Sequence, residues 1–186
     1  GLNIRGVPTS IETEILANEH NIPLIPWNQV EKLDLTIDGA DEFDPEFHLI
    51  KGGGGALTRE KIVAKISHSM VVVTDPRKDV EILGNFPLPV EVIQFGWEVT
   101  SRHLQKLCPG DVKRRGGDNP FITDNGNYIL DCNFGPTISN PVELENKIQG
   151  ISGVLEVGLF THIADAVVIG STHGIEVRIK TSGRLS

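Results

Sequence analysis

Leu33-Asp34-Leu35-Thr36-Ile37-Asp38-Gly39-Ala40-Asp41 alternates apolar and polar residues for five positions, then runs straight into two aspartates around a glycine and an alanine. Period-two alternation marks a β-strand, so these acids stand at a strand's C-terminal end. Downstream, His48-Leu49-Ile50 leads into Lys51 and the glycines Gly52 to Gly55. Ala56 to Ile66 then carries Leu57, Ile62, Val63 and Ile66 at helical spacing, and Met70-Val71-Val72-Val73 is a continuous apolar strand. Strand and helix in alternation predict a parallel sheet flanked by helices. Upstream, Leu2 to Val7 alternates as a strand does, and Thr9 with Glu12 has the spacing of a capping box for a helix running to about Glu19.

From Val90 the pattern changes. A strand (90–94), a helix (97–107) and a strand (111–115) precede a hairpin signal, Asn125-Gly126 between Phe121-Ile122-Thr123 and Tyr128-Ile129-Leu130. Asn140-Pro141-Val142-Glu143 places an N-cap, a first-turn proline and an acid at the start of a further helix. A strand over 154–160 closes the unit. The order β, α, β, β, α, β is the ferredoxin-like pattern. Strands over 164–170 and 174–179 are assigned back to the first sheet. The predicted fold is therefore α/β: a parallel-sheet domain over 1–87 and 162–186, interrupted by a ferredoxin-like α+β domain over 88–161.

A chain of 186 residues, 39% hydrophobic and 23% charged, hides about 70% of its unfolded surface on folding and needs neither disorder nor covalent staples. Its net charge of −8 argues against nonspecific binding to nucleic acid or an anionic membrane. A small anionic substrate is a matter of local charge. Cys108 and Cys132 lack CxxC spacing and read as buried free thiols. The apolar runs fall far short of the roughly 20 residues of a membrane helix, and the chain does not open with a secretory signal pattern. The expected location is the cytoplasm.

In an open α/β sheet, ligands bind outside the carboxyl ends of the strands. Both Asp38-Gly39-Ala40-Asp41-Glu42-Phe43-Asp44 and Lys51 with its glycines fall there. Glycines ahead of a helix let backbone N–H groups approach an oxyanion. The spacing is neither a Walker loop nor Gly-x-Gly-x-x-Gly. Carboxylates at 38, 41 and 44 lack the glycine and distal glutamate of an EF-hand, and no metal is expected. Taken singly, Asp38 and Asp41 read equally as turn residues, Glu60 as a solvated helix residue and Lys51 as a surface lysine. Their convergence on one rim supplies what proton transfer beside a carbonyl requires.

Asp38-Gly39-Ala40-Asp41-Glu42, Lys51-Gly52-Gly53-Gly54 with Ala56-Leu57-Thr58-Arg59-Glu60-Lys61, Phe86-Pro87-Leu88-Pro89-Val90-Glu91-Val92, Thr123-Asp124-Asn125-Gly126-Asn127 and Val157-Gly158-Leu159-Phe160 together resemble type A ribose-5-phosphate isomerase. The resemblance runs in order from Gly1 to about Lys180. It implies a Rossmann-like catalytic domain and interconversion of D-ribose 5-phosphate and D-ribulose 5-phosphate in the pentose phosphate pathway, without metal or cofactor. It implies Glu60 as the base that moves a proton between C2 and C1 through a cis-enediolate. Asp38 and Asp41 match acids that bind sugar hydroxyls and assist ring opening. Lys51 and Gly52, Gly53 and Gly54 match the loop that stabilises developing charge, with Gly39 and Ala40 beside the substrate. Lys78 matches a substrate-binding lysine, although Pro76-Arg77 replaces the family's usual pair before it. Self-association as a homodimer or homotetramer is also implied.

The family begins with a helix, a strand and a Gly-Thr-Gly-Ser-Thr phosphate loop that this sequence does not contain. The expectation is an N-terminally incomplete Rossmann-like domain that, taken alone, is inactive or poorly folded, because phosphate contacts orient the substrate. The alternative reading is a non-catalytic sugar-phosphate-sensing domain of a transcriptional regulator. Retention of Glu60 with Asp38 and Asp41 favours the enzyme.

Overall fold

The computed structural model describes residues 3–181. Helix α1 (Ile11–Glu19) is followed by strand β1 (Leu33–Asp38) and two short strands, β2 (Glu42–Phe43) and β3 (Leu49–Ile50). Helix α2 (Leu57–Ile66) runs directly into β4 (Ser67–Thr74). Then come β5 (Leu88–Val92), α3 (Trp97–Gln105), β6 (Val112–Arg114), β7 (Tyr128–Cys132), α4 (Pro141–Gln149), β8 (Val154–Val157), β9 (Leu159–Phe160), β10 (Ala166–Ser171) and β11 (Gly174–Ile179).

The first sheet has the order β1-β4-β10-β11, with β1, β4 and β10 parallel and β11 an antiparallel edge. Asp38 lies opposite Val72, so β1 ends beside the middle of a well-packed neighbour. A second sheet, β6-β7-β5-β8, is antiparallel throughout. With α3 and α4 as its crossings it has the ferredoxin-like order that the strand and helix sequence predicts. A third sheet, β2-β3-β9, joins the antiparallel pair between β1 and α2 to the strand leaving the second sheet.

Sequence patterning errs at four places. One strand over 154–160 is in fact two, β8 on β5 and β9 on β3, divided at Gly158. A Cβ on Gly158 would stand 2.4 Å from the Lys51 carbonyl oxygen and 2.7 Å from that of Pro89. Its backbone accepts from Lys51 N and donates to Pro89 O, so the chain changes sheets where two other backbones press against it. The Phe121–Thr123 arm of the expected hairpin is not a strand. Arg115 O instead accepts from Phe121 N, and Pro120 removes a ladder donor. Leu2 lies outside the described residues, and the rest of the 2–7 segment makes only a parallel bridge between Gly6 and Leu24. The cap of α1 is Ser10, not Thr9: its hydroxyl accepts from Thr13 N at 3.0 Å.

Two apolar clusters fill the interior. Phe43, Leu49, Leu57, Met70, Val72, Phe160 and Val167 pack beneath the parallel sheet, while Leu88, Val90, Val92, Leu104, Leu130, Ile148 and Val157 pack between the antiparallel sheet and its helices. Cys108 and Cys132 are buried free thiols, and burial pushes both up from the ordinary thiol range. Among the described residues no helix is long and apolar enough to cross a membrane.

Candidate active site

The C-terminal end of β1, the start of α2 and the glycine loop between β3 and α2 meet at one place. Asp38 is the last residue of β1, Lys51 follows β3 directly, and Glu60 is the fourth residue of α2. Lys51 is only 3% exposed, with its backbone N–H held by Gly158 O. Its ammonium lies 3.0 Å from Asp38 Oδ2 and 3.2 Å from Glu60 Oε2, and donates to Gly39 O at 2.6 Å. Below it, the Phe160 ring centroid is 5.6 Å away. The lysine that sequence alone could place on the surface is thus a buried cation between two carboxylates.

Glu60 is largely removed from water, and burial raises its pKa from the ordinary 4.5. Lys51 opposes that rise, and the charges of Asp38 and Asp41 add to it. Glu60 Oε2 faces the Lys51 ammonium across 3.2 Å, so the carboxylate sits beside a buried cation. A carboxylate raised by burial is suited to taking and returning a proton.

Asp41 faces the glycine loop, where its Oδ2 accepts from Gly53 N at 2.7 Å. A Cβ on Gly53 would meet Asp41 Oδ1 at 2.5 Å, so an added methyl group would displace the Asp41 carboxylate. Asp38 Oδ1 accepts from Gly39 N at 2.8 Å. Ala40 is half-buried on the apolar cluster under the parallel sheet, and Gly54 sits in the open, with nothing within 4 Å of a Cβ placed there. Lys78 does not join the Lys51 cluster. It lines an adjacent cleft of about 330 Å³ with Asp41, Arg77 and Phe86, its ammonium 5.8 Å from the Phe86 ring centroid. Arg77 is bound to Asp75 beside it at 2.9 and 3.0 Å, which holds the Asp75 carboxyl down at about 2.

Two neighbouring acids are committed elsewhere. Glu42 accepts from Gly84 N and Phe86 N, and Asp44 accepts from Glu46 N and His48 N and pairs with the His48 ring at 3.0 Å. Carboxylates 38, 41 and 44 therefore do not converge on a common point.

Three supports of the site carry no role in the sequence reading. Arg115 forks onto Asp131 at 2.6 and 3.0 Å and donates its remaining nitrogen to Gly52 O and Gly53 O, clamping the glycine loop from the antiparallel sheet. Lys61, 1% exposed, joins α2 to Glu145, Glu156 and Val157 O, each at 2.7 Å. Glu91 is fully buried on β5. The signal for Glu91 lies in Leu88-Pro89-Val90-Glu91-Val92, where an acid interrupts an apolar strand; Arg115 and Lys61 carry no comparable local mark.

Comparison with known proteins agrees with this geometry. Residues 5–174 match the family Ribose 5-phosphate isomerase A (phosphoriboisomerase A). The chain is 49% identical over 176 residues to ribose-5-phosphate isomerase A of Bacillus mycoides, covering 95% of this chain and 80% of that one. It is 50% identical over 193 residues to the Ruegeria sp. protein of the same name, covering 100% of this chain and 73% of the relative. Among solved structures, ribose 5-phosphate isomerase A of Methanocaldococcus jannaschii superposes with a TM-score of 0.89 at 41% identity, covering 96% of this chain and 80% of that one. A D-ribose-5-phosphate isomerase solved in complex with phospho-erythronic acid superposes at 0.91, also at 41% identity, covering 96% and 79%. A family match over residues 5–174, a shared fold and this degree of identity over nearly the whole chain lead to one conclusion: the chain belongs to the ribose 5-phosphate isomerase A family.

Proposed function

We propose that this protein interconverts D-ribose 5-phosphate and D-ribulose 5-phosphate through a cis-enediolate, as an aldose–ketose isomerase of the non-oxidative pentose phosphate pathway. The observation that carries the reading is the Lys51 ammonium, buried within 3.2 Å of both Asp38 and Glu60. Glu60, raised by burial, takes the C2 proton of the aldose and returns it to C1. Lys51 and the loop of Gly52, Gly53 and Gly54 face the oxygen on which charge builds, with the Gly53 N–H itself held by Asp41. Asp38 and Asp41 hold sugar hydroxyls and carry the proton between O1 and O2, beside Gly39 and Ala40. Lys78, in the adjoining cleft, binds a more distant part of the sugar phosphate. A non-catalytic sensor would have no use for a carboxylate whose pKa is raised by burial beside a buried cation.

This reading extends to three features of the whole protein. Residues 1–87 with 162–186 form the catalytic domain, and 88–161 form a ferredoxin-like domain that braces it through Glu91 and Arg115. The protein works in the cytoplasm, in keeping with two buried, unpaired cysteines. It assembles as a homodimer or homotetramer.

The test is a coupled assay for ribulose 5-phosphate with purified full-length protein and its Glu60→Gln variant. Loss of a positioned base lowers kcat by about 100-fold or more. Turnover of the variant near that of the parent would overturn the assignment.

A further inference from the structure

The helix that carries Glu60 has no N-terminal cap of its own. Ala56 precedes it and makes no side-chain bond to the first turn. What holds that turn comes from the antiparallel sheet. Thr58 Oγ1 donates to Glu91 Oε2 in a short hydrogen bond. Arg59, the next residue, donates to Asn125 Oδ1 at 2.9 Å and to Asp124 O at 2.8 Å. Both attachments end on the 123–127 turn, because Glu91 Oε1 accepts from Thr123 Oγ1 at 2.8 Å, Asn127 Nδ2 at 3.0 Å and Asn125 Nδ2 at 3.1 Å.

Glu91 is thus a fully buried carboxylate surrounded by neutral donors. Taking a carboxylate out of water is costly, so it is a poor way of simply tying a turn to a strand. Its geometry is specific: Oε1 gathers the turn, while Oε2 takes the Thr58 hydroxyl, two residues before Glu60, with only a longer contact of 3.5 Å from Asn125 Nδ2 beside it. The Thr58 bond fixes the rotation of the first turn of α2 about its axis, and rotation there moves the Glu60 carboxylate relative to Lys51.

We propose that Glu91 is a positioning residue for the isomerisation, acting through Thr58 to hold Glu60 in register with Lys51 and the substrate. The proposal rests on the reading of Glu60 as the base. A misplacement of about 1 Å in a catalytic group can cost about 100-fold in rate, so this bond belongs to turnover more than to affinity.

The experiment compares kcat and KM of full-length Thr58→Val, Thr58→Ser, Glu91→Gln and the double variant Thr58→Val/Glu91→Gln, alongside Glu60→Gln. Thr58→Val, isosteric and without the donor, lowers kcat by about 10- to 100-fold with KM within about 3-fold of the parent. Thr58→Ser, which keeps the hydroxyl, restores kcat. The double variant is no slower than the slower single variant, because both substitutions act on turnover through the shared Thr58–Glu91 bond. Parental kcat in Thr58→Val, no rescue by serine, or multiplicative effects in the double variant would each overturn the positioning role. If Glu60→Gln abolishes turnover while Thr58→Val keeps the parental kcat, only the positioning role falls; if Glu60→Gln stays active, the base assignment falls and takes this role with it. Should Glu91→Gln fail to fold, the Thr58 pair decides alone.

Discussion

Replacing Lys51 by methionine removes a buried ammonium from between two carboxylates, and the structure sets both the size and the pH dependence of the damage. Breaking a buried ion pair by deleting one partner costs about 3–5 kcal/mol. Here the lower end applies. Gly39, whose carbonyl loses its donor, is exposed and is rehydrated, and the Asp38 side chain keeps 24% of its surface in water. The loss therefore concentrates on Glu60, whose side chain is 15% exposed, and comes to about 3 kcal/mol at pH 8. In the parent, Lys51 is the chief influence lowering the Glu60 pKa, against burial, Asp38 and Asp41, which raise it. Without Lys51 only the raising influences remain, so the folded-state pKa climbs further above the unfolded 4.5. A carboxylate raised in the folded state contributes stability that is present below its unfolded pKa and lost as pH rises through the folded one. Lys51→Met is thus less damaging at pH 5 than at pH 8. Because the base must be ionised, the acid limb of kcat/KM moves to higher pH, and the plateau falls by about 100-fold or more as the enediolate loses its cation. Urea unfolding at the two pH values and a pH–rate profile check this. An equal loss of stability at both pH values, or an acid limb that stays or moves down, would refute the reasoning.

Two further outcomes follow from the same geometry. Gly53→Ala drives a Cβ into the Asp41 carboxylate, 2.5 Å away, and breaks the 2.7 Å bond between them, so KM for the sugar phosphate rises by about 10-fold while the unfolding transition moves little; an unchanged KM would contradict the close approach. Lys61→Met leaves Glu145 and Glu156 without their shared cation and costs about 3 kcal/mol in urea unfolding, against which a variant of parental stability would count.

The candidate site's grouping of Asp38, Asp41, Lys51 and Glu60 was largely legible in sequence because its parts are local. A strand's alternation locates Asp38 and Asp41 at its end, and a run of glycines before a helical pattern locates Lys51 and Glu60 at the next connection. The burial of Lys51 was not legible. It depends on Gly158, more than a hundred residues away, whose carbonyl holds the Lys51 backbone and whose missing side chain lets the strands meet. Nor could Lys78 be separated from the Lys51 cluster by sequence, since both are lysines near strand ends, and only the fold assigns them to different clefts. The hairpin reading of Asn125-Gly126 correctly marked a turn but missed what the turn does. Its side chains close on Glu91 instead of a neighbouring strand.

By itself the sequence determined the α/β class, the ferredoxin-like strand order and the family, because periodicity, capping and motif spacing are short-range properties that survive without tertiary contacts. Tertiary structure alone decided which charges are paired and which remain free to react. Whether a carboxylate is solvated, committed to backbone like Glu42, or buried beside a single cation like Glu60 depends on groups brought together from distant parts of the chain. Desolvation and Coulomb interaction act through space, so the protonation chemistry of this site exists only once the two sheets are packed together.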